Sequence, residues 1–409
     1  MSPKSRGRPP GRGRSPKQRR PARQPTPLEL ILDEAEVLPT LDLLTVQVFA
    51  STWLGEARST RTLDKRDADV DLVRALVAAT RGRHAAPAYL ALYALATIPD
   101  ARWQDDVFES LAAAPLGLAP VWAVDSRTHV PEPAVGAQRW SDPWGSEFVY
   151  RLRFAKPVAH SLVVFETTVG GLWVNELLVS TPEDESIIED LPMVEMDPEE
   201  ALAEVADALW ITDLYFPPQN EPEYTEIRSL AHWRTRGRHR DVDREHASDD
   251  ERRGLIDDFI AAQDDDEDQG FLEVLADTFI DFGDGYLHDG VLAWSPGEVE
   301  RFMLDWVHRK VLLEPDCVEP LPRVLARWVE FALSRRGLAP EHIAMVVNMV
   351  DALEEKYVEA AADNWRAGPA KAIMSRLLAE GTDLDDKEAV DGAVRAYNAE
   401  RLARRFLEP

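Results

Sequence analysis

The stretch Ser146–Ser180, SEFVYRLRFAKPVAHSLVVFETTVGGLWVNELLVS, limits the possible folds of this chain more than any other part of it. Phe148, Tyr150, Leu152 and Phe154 alternate with Val149, Arg151 and Arg153, the period-two pattern of a strand with a buried face. Leu162–Phe165 is apolar at every position, which predicts a strand covered on both sides. Gly170-Gly171 supplies the positive φ values that a two-residue hairpin turn demands, and Leu172–Val179 returns. That turn sets Thr168 opposite Trp173, Glu166 opposite Asn175 and Val164 opposite Leu177. The expectation is a three-strand meander packed among helices.

Helical periodicity occupies most of the remainder. Thr26-Pro27-Leu28-Glu29 is a capping box with proline at the first helical position. Helical patterns follow at Pro27–Ala35, Leu41–Leu54, Asp69–Thr80, Pro87–Ile98 and Asp100–Ala113, punctuated by Gly55, Gly82, Pro99 and Pro115. Leu118–Trp140 is rich in Pro and Trp and leads into the meander, with a short strand expected near Val121–Val124. Thr181–Met196 reads as an acidic loop, and Asp197-Pro198 caps a helix whose buried face is Leu202, Val205, Ala206 and Leu209. A further helix is expected at Tyr224–Trp233, followed by the charged segment Arg234–His246. Ser248-Asp249-Asp250-Glu251 and Ser295-Pro296-Gly297-Glu298 then open two more helices, and others read at Phe271–Phe282, Leu321–Arg335, Pro340–Tyr357, Pro369–Ala379 and Lys387–Ala399.

The predicted class is α+β: predominantly helical, with a small antiparallel β-meander in the middle and an all-α C-terminal domain. The expected division is a disordered basic tail at 1–25, an N-terminal helical region at 26–116, an α+β region at 117–233, a charged linker at 234–247 and the C-terminal helical domain at 248–409.

Charge is distributed unevenly. Residues 1–26 hold nine Lys and Arg and no acid, so removing those nine charges from the net −28 leaves −37 on the rest. Such a body resists aggregation and repels nucleic acid and anionic membrane. One cysteine, Cys317, excludes internal disulfides and cysteine-rich zinc sites, and its place between Pro315 and Pro320 suits a small apolar filler. No apolar run is long enough to span a bilayer, and the basic N-terminus leads into no apolar signal region, so a cytoplasmic protein without membrane contact is expected.

Two resemblances follow from the residues. Trp294-Ser295-Pro296, Val299-Glu300, Phe302, Leu304-Asp305-Trp306 and Arg309-Lys310-Val311 resemble a segment that recurs in an actinobacterial protein family without assigned activity, and the hairpin Leu162–Val174 is similar to a segment of the same group. That likeness implies architecture and carries no functional residue. In the tail, Arg6-Gly7-Arg8-Pro9, preceded by Lys4 and followed by Arg12-Gly13-Arg14, resembles an AT-hook, whose extended Arg-Gly-Arg core lies in the narrow minor groove of A·T-rich DNA. Pro10 and Gly11 stand where further basic residues would strengthen phosphate contacts. Arg6, Gly7, Arg8, Arg12 and Arg14 are therefore the candidate nucleic-acid-binding residues. Docking of the tail on the oppositely charged body is a competing use.

No catalytic signature is visible. The nine histidines show no His-Glu-x-x-His spacing, and no Gly-x-Ser-x-Gly elbow, Walker loop or dinucleotide glycine motif occurs. Asp264–Asp268 fails as an EF-hand, because Gln269 and Leu275 stand where glycine and the bidentate glutamate belong. Asp281-Phe282-Gly283 copies a kinase tripeptide without the accompanying loops, and Asp284, His288 and Asp289 share one Gly-rich loop without helix-fixed spacing, so no metal or cofactor is expected. His160 and Glu166 share a strand face about 20 Å apart, too far to cooperate. Glu166 reads as part of a solvated hairpin rim. Trp306, Trp328 and Trp365 lie on helical stripes and read as core.

The leading expectation is a non-catalytic cytoplasmic adaptor or regulator acting through contacts with a protein partner. One alternative is a nucleoid-associated protein whose tail grips A·T-rich DNA; another is an enzyme whose site assembles from distant residues. A deep pocket of convergent ionisable side chains would favour the enzyme, and a flat apolar patch the adaptor.

Overall fold

The computed structural model describes residues 25–62, 67–123, 129–181, 191–215, 219, 221–240, 246–263, 269–313, 315–362, 368, 371–374, 377 and 387–405. The tail residues Arg6, Gly7, Arg8, Arg12 and Arg14, the acidic run Asp264–Asp268 and Trp365 lie outside them.

Five helices come first: α1 (Pro27–Ala35), α2 (Leu43–Ser59), α3 (Ala68–Ala79), α4 (Ala85–Leu95) and α5 (Gln104–Ala112). Thr26 closes the predicted capping box with Glu29, and Asp42 caps α2 through the Thr45 amide. Their stripes converge on a core of Leu38, Val46, Ala50, Trp53, Val73, Leu76, Leu92, Leu95 and Val107.

The sheet has five antiparallel strands, two more than the meander alone: β1 (Ala134–Ser141), β2 (Glu147–Phe154), β3 (His160–Thr167), β4 (Trp173–Ser180) and β5 (Met193–Met196), ordered β4-β3-β2-β1-β5. The residues at Val121–Ala123 form a turn and no strand. β1 escapes the sequence pattern because small and polar residues fill it, with Gly136, Ala137 and Trp140 as its buried positions. β5 falls inside the expected acidic loop; it is a four-residue edge strand held to β1 by backbone pairing, with no buried face to announce it. β3 is buried from both sides as expected. On one side Leu162 and Val164 meet α6 (Pro198–Leu214) and α7 (Pro222–Arg234), while Val163 meets Trp140 and Val149 on the other.

One of the three predicted hairpin pairs forms. Val164 faces Leu177, but a bulge shifts the pairing between Phe165 and Glu166, so Glu166 faces Val174 and Thr167 faces Trp173. Gly170 and Gly171 do adopt positive φ (88° and 113°), in a connection longer than the two-residue turn. Glu166 keeps the β3 face of Leu162 and Val164, which α6 and α7 cover, and the bulge sets Val174 beside it in place of Asn175.

The C-terminal part is helical: α8 (Asp249–Ala261), α9 (Gln269–Tyr286), α10 (Pro296–Arg301), a π-turn at Phe302–Trp306, α11 (Val307–Lys310), α12 (Pro315–Val318), α13 (Leu321–Arg335), α14 (Pro340–Ala362) and α15 (Lys387–Arg405). Ser248 and Ser295 cap α8 and α10 as predicted. Phe279, Phe282, Trp294, Phe302, Trp306 and Trp328 form one aromatic core with Cys317 at its edge. Two loops of the sheet unit meet this domain. Gly170 donates its amide to Glu298 at 3.3 Å, and Arg336 donates to the Trp144 carbonyl at 3.0 Å.

α7 binds the N-terminal helices to the sheet. Its Tyr224, Ile227 and Ala231 complete the sheet core, while Leu230 and Trp233 complete the helical one. Gly55 of α2 permits the approach: a Cβ there would lie 1.9 Å from the Thr225 carbonyl oxygen. Backbone cannot yield as a side-chain tip can, so Gly55→Ala must push α2 and α7 apart. The expected cost is on the order of 3 kcal/mol, the upper part of the overpacking range. Gly254 in α8 meets nothing within 4 Å, and Gly254→Ala should add up to about 1 kcal/mol through helix propensity. Urea midpoints of the two variants check this, and an unchanged midpoint for Gly55→Ala would contradict the helix contact.

Candidate functional site

A pocket of about 390 Å³ opens where α2, α3, the α4–α5 connection, α6 and α7 meet. Each element delivers its residues by regular geometry. Asp213 and Leu214 follow Trp210 by three and four positions on the last turns of α6, so the three share a face. Arg228 and His232 stand four apart on α7, and Arg236 continues that stripe just beyond the helix. Arg58 ends α2, Asp69 begins α3, and Asp100, Arg102 and Trp103 lie before α5.

The charges fall into two groups. On one side Asp213 takes Arg228 Nε at 2.8 Å, a second contact from the same guanidinium, and Arg58 at 3.1 Å. The Tyr224 hydroxyl donates to the same carboxylate at 3.2 Å, and His232 Nε2 lies 3.0 Å from it. Burial works to raise the Asp213 carboxyl, but Arg228 and then His232 overcome it and hold it far below the usual carboxylate range. Burial and Arg228 push the His232 imidazole down, and burial with Arg228 lowers Arg58 to about 10. On the other side Arg102 donates to Asp69 at 2.7 Å and to Asp100 at 2.8 Å. Desolvation opposes the charge on Asp100, and the Arg102 contacts outweigh it and lower its pKa.

Arg236 lies over the Trp233 ring at 5.5 Å and donates to the Pro99 carbonyl at 3.4 Å. Trp103 and Trp233 line the pocket with indole N–H groups that have no acceptor among the described residues. Trp210 lies at the mouth, 49% exposed and stacked on His239.

Ser229, His232 and Asp213 are the residue types of an acyl-transfer triad. Among the described contacts no hydrogen bond joins Ser229 to His232, and Asp213 already serves two guanidiniums. A triad needs the serine–histidine bond and a carboxylate committed to the imidazole. The arrangement is built to hold charge.

The residues singled out by sequence lie elsewhere. Asp281 pairs with Arg252 at 2.5 Å, Phe282 is core, and a Cβ at Gly283 would meet Val291. Asp284 accepts the Ala247 amide at 2.8 Å and neighbours His246 at 3.3 Å. Among the described residues no group of three or more His, Cys, Asp or Glu gathers as a metal site. His160 sits beside Arg234 Nη2 at 3.4 Å, at the end of β3 away from Glu166.

Glu166 corrects the rim expectation: it is 4% exposed, and its Oε2 has no hydrogen-bond partner among the described residues. Above it Glu204 of α6 accepts the Tyr150 hydroxyl at 2.8 Å and Arg139 at 3.4 Å. Desolvation, then the Glu204 charge, raise Glu166 to about 8, with Arg139 opposing.

No helix among the described residues is long and apolar enough to cross a membrane. Against family models, curated proteins and solved structures alike, the chain finds no match.

Glu166 gives the stability a defined pH dependence. Between its ordinary 4.5 and about 8 the folded chain keeps a proton that the unfolded chain has lost. Stability therefore falls by about 1.4 kcal/mol per pH unit through that window and levels above it. Glu166→Gln removes this contribution, so its advantage in urea denaturation should grow from pH 5 to pH 8. An advantage equal at both pH values would contradict the buried, protonated carboxyl.

Proposed function

We propose that this is a non-catalytic regulatory protein of the cytoplasm, whose contact with a protein partner responds to a small charged ligand held in the pocket. One observation carries the reading. Trp210 and Leu214 line the pocket while remaining 49% and 67% exposed, so an occupant touches the same turn of α6 that faces outward. Tyr215 follows at once, 40% exposed and packed on Trp173. Large apolar side chains grouped at one surface turn suit protein recognition. The pocket supplies the ligand site at the small end of the usual volume range, with charged side chains interleaved with apolar ones.

A pocket with convergent ionisable groups is also what an enzyme requires. The state of those groups argues for binding. Asp213 is fixed as an anion by its cations, and the lowered imidazole of His232 has no hydroxyl hydrogen-bonded to it among the described contacts. The A·T-rich DNA alternative rests on the tail alone.

The full chain, incubated with the small-molecule fraction of a cell extract and washed, should retain a charged compound identifiable by mass spectrometry. That compound should be recovered with unchanged mass after prolonged incubation. Arg236→Ala removes only a carbonyl contact and a ring contact, and should fold normally while retaining much less of it. A chemically altered compound would overturn the non-catalytic reading in favour of the enzyme.

A further inference from the structure

A second charged cluster lies buried at the end of α7, apart from the pocket lining. The Arg234 guanidinium gives Nη1 to Glu132 and Nη2 to Gln47 Oε1 at 3.0 Å. Nη2 also lies 3.4 Å from Nε2 of His160, the first residue of β3. The contacts of that imidazole fix where its hydrogen sits. His160 Nδ1 is 2.7 Å from the Val158 carbonyl, which can only accept, so Nδ1 carries the hydrogen. Nε2 is then the bare nitrogen, and the guanidinium, which can only donate, is the partner it suits. Phe154 holds the pair in place, its ring stacked on the imidazole with Arg234 over it at 4.9 Å.

We propose that the Arg234–His160 contact is an acid-operated latch on the seam between α7 and the sheet. A proton taken up from solvent at Nε2 turns the acceptor into a donor and sets two cations face to face. The contact then opens, and the end of α7 parts from β3. Among the described residues, the other charged and titratable groups at the cluster are Glu132 and His129, both from the segment before β1. Glu132 already serves Arg234, and α2 and β2 bring only the neutral Gln47 and the Phe154 ring. His129 is stacked on Trp233 and gives Nε2 to the Thr97 carbonyl at 3.0 Å. Burial, and then Arg234, lower its pKa against that bond.

Burial likewise lowers the His160 imidazole from its ordinary 6.5, with the Val158 bond opposing. A histidine lowered in this way supports the fold above 6.5 and withdraws that support as pH falls below it. Trp233 and Arg236, on either side of Arg234 in the chain, line the pocket. The latch therefore ties one wall of the pocket to solvent pH, and it stands whether or not the pocket holds a ligand.

The test is amide hydrogen exchange of the full chain at about pH 7.5 and about pH 5.5, corrected for the intrinsic pH dependence. It is read at Trp233, Arg234 and Thr235, in the last turn of α7 and its cap. An imidazole freed by opening regains its ordinary 6.5, so the open form should gain about tenfold in population between the two pH values. His160→Gln keeps an acceptor for Arg234 and cannot take up the proton. Protection at these amides should therefore fall about tenfold more in the wild-type chain than in His160→Gln. His129 and Glu166 are common to both chains and drop out of the comparison. An equal fall in both chains, or no fall in the wild-type chain, overturns the latch. The wild-type imidazole gives a second reading that needs no variant. Nitrogen NMR should show hydrogen on Nδ1 and a bare Nε2 at neutral pH, with Nε2 taking its proton as the α7 amides lose protection. The reverse tautomer, or an Nε2 that titrates while those amides stay protected, overturns the proposal.

Discussion

The close crossing of α2 and α7 at Gly55 and Thr225 is the contact on which the rest of the arrangement depends. A single turn of each helix approaches so nearly that no side chain fits between them. α7 can therefore insert into the N-terminal bundle through Leu230 and Trp233 while its opposite face covers the sheet through Tyr224, Ile227 and Ala231. The seam so formed is not wholly apolar. Arg234, at the end of α7, is 1% exposed and reaches Glu132, Gln47 and the neighbourhood of His160, with its guanidinium over the Phe154 ring. Burial lowers this arginine to about 10, and Glu132 supplies the counter-charge that a buried cation requires. Such pairs add little net stability, yet removing one partner is costly, so they fix which surfaces meet.

The pocket is a consequence of the same geometry. α2, α6 and α7 all contribute to its lining, and much of that lining is charged. Four arginines gather here in a chain of net charge −28. Each carboxylate nearby is committed to a guanidinium, so the local field is set by how many cations share each anion.

Much of the architecture was legible because caps and stripes are local. Thr26, Asp197, Ser248 and Ser295 mark their helices correctly, since an N-cap is decided by residues within one turn. β2 showed itself by alternation, β3 by an unbroken apolar run and β4 by the Gly170-Gly171 turn that precedes it. β1 and β5 did not, because one is rich in small and polar residues and the other is an exposed edge. The bulge at Phe165–Glu166 was hidden for a different reason: one extra residue in β4 reverses the facing of the hairpin end without altering the composition of either strand. It brings Val174 rather than Asn175 beside Glu166, which lies on the helix-covered face with Leu162 and Val164 and is buried. The pocket was the least legible part. Arg58, Asp69, Arg102, Asp213 and Arg228 come from five separate elements, and each alone looks like an ordinary surface charge. The one available hint was the basic spacing Arg228, His232 and Arg236, which places three nitrogen-bearing side chains on one side of α7.

The central claim is that the N-terminal helices and the sheet form one cooperative unit through α7, with the pocket on their seam. Native-state hydrogen exchange of the full chain across low urea concentrations measures this directly, because it resolves which segments open together. The account predicts that slow amides in α2, α7 and β3 share one opening free energy and one dependence on urea. Amides of α2–α5 that open together at a distinctly lower free energy than those of α7 and β3 would show an independent bundle resting on the sheet, and would contradict the claim.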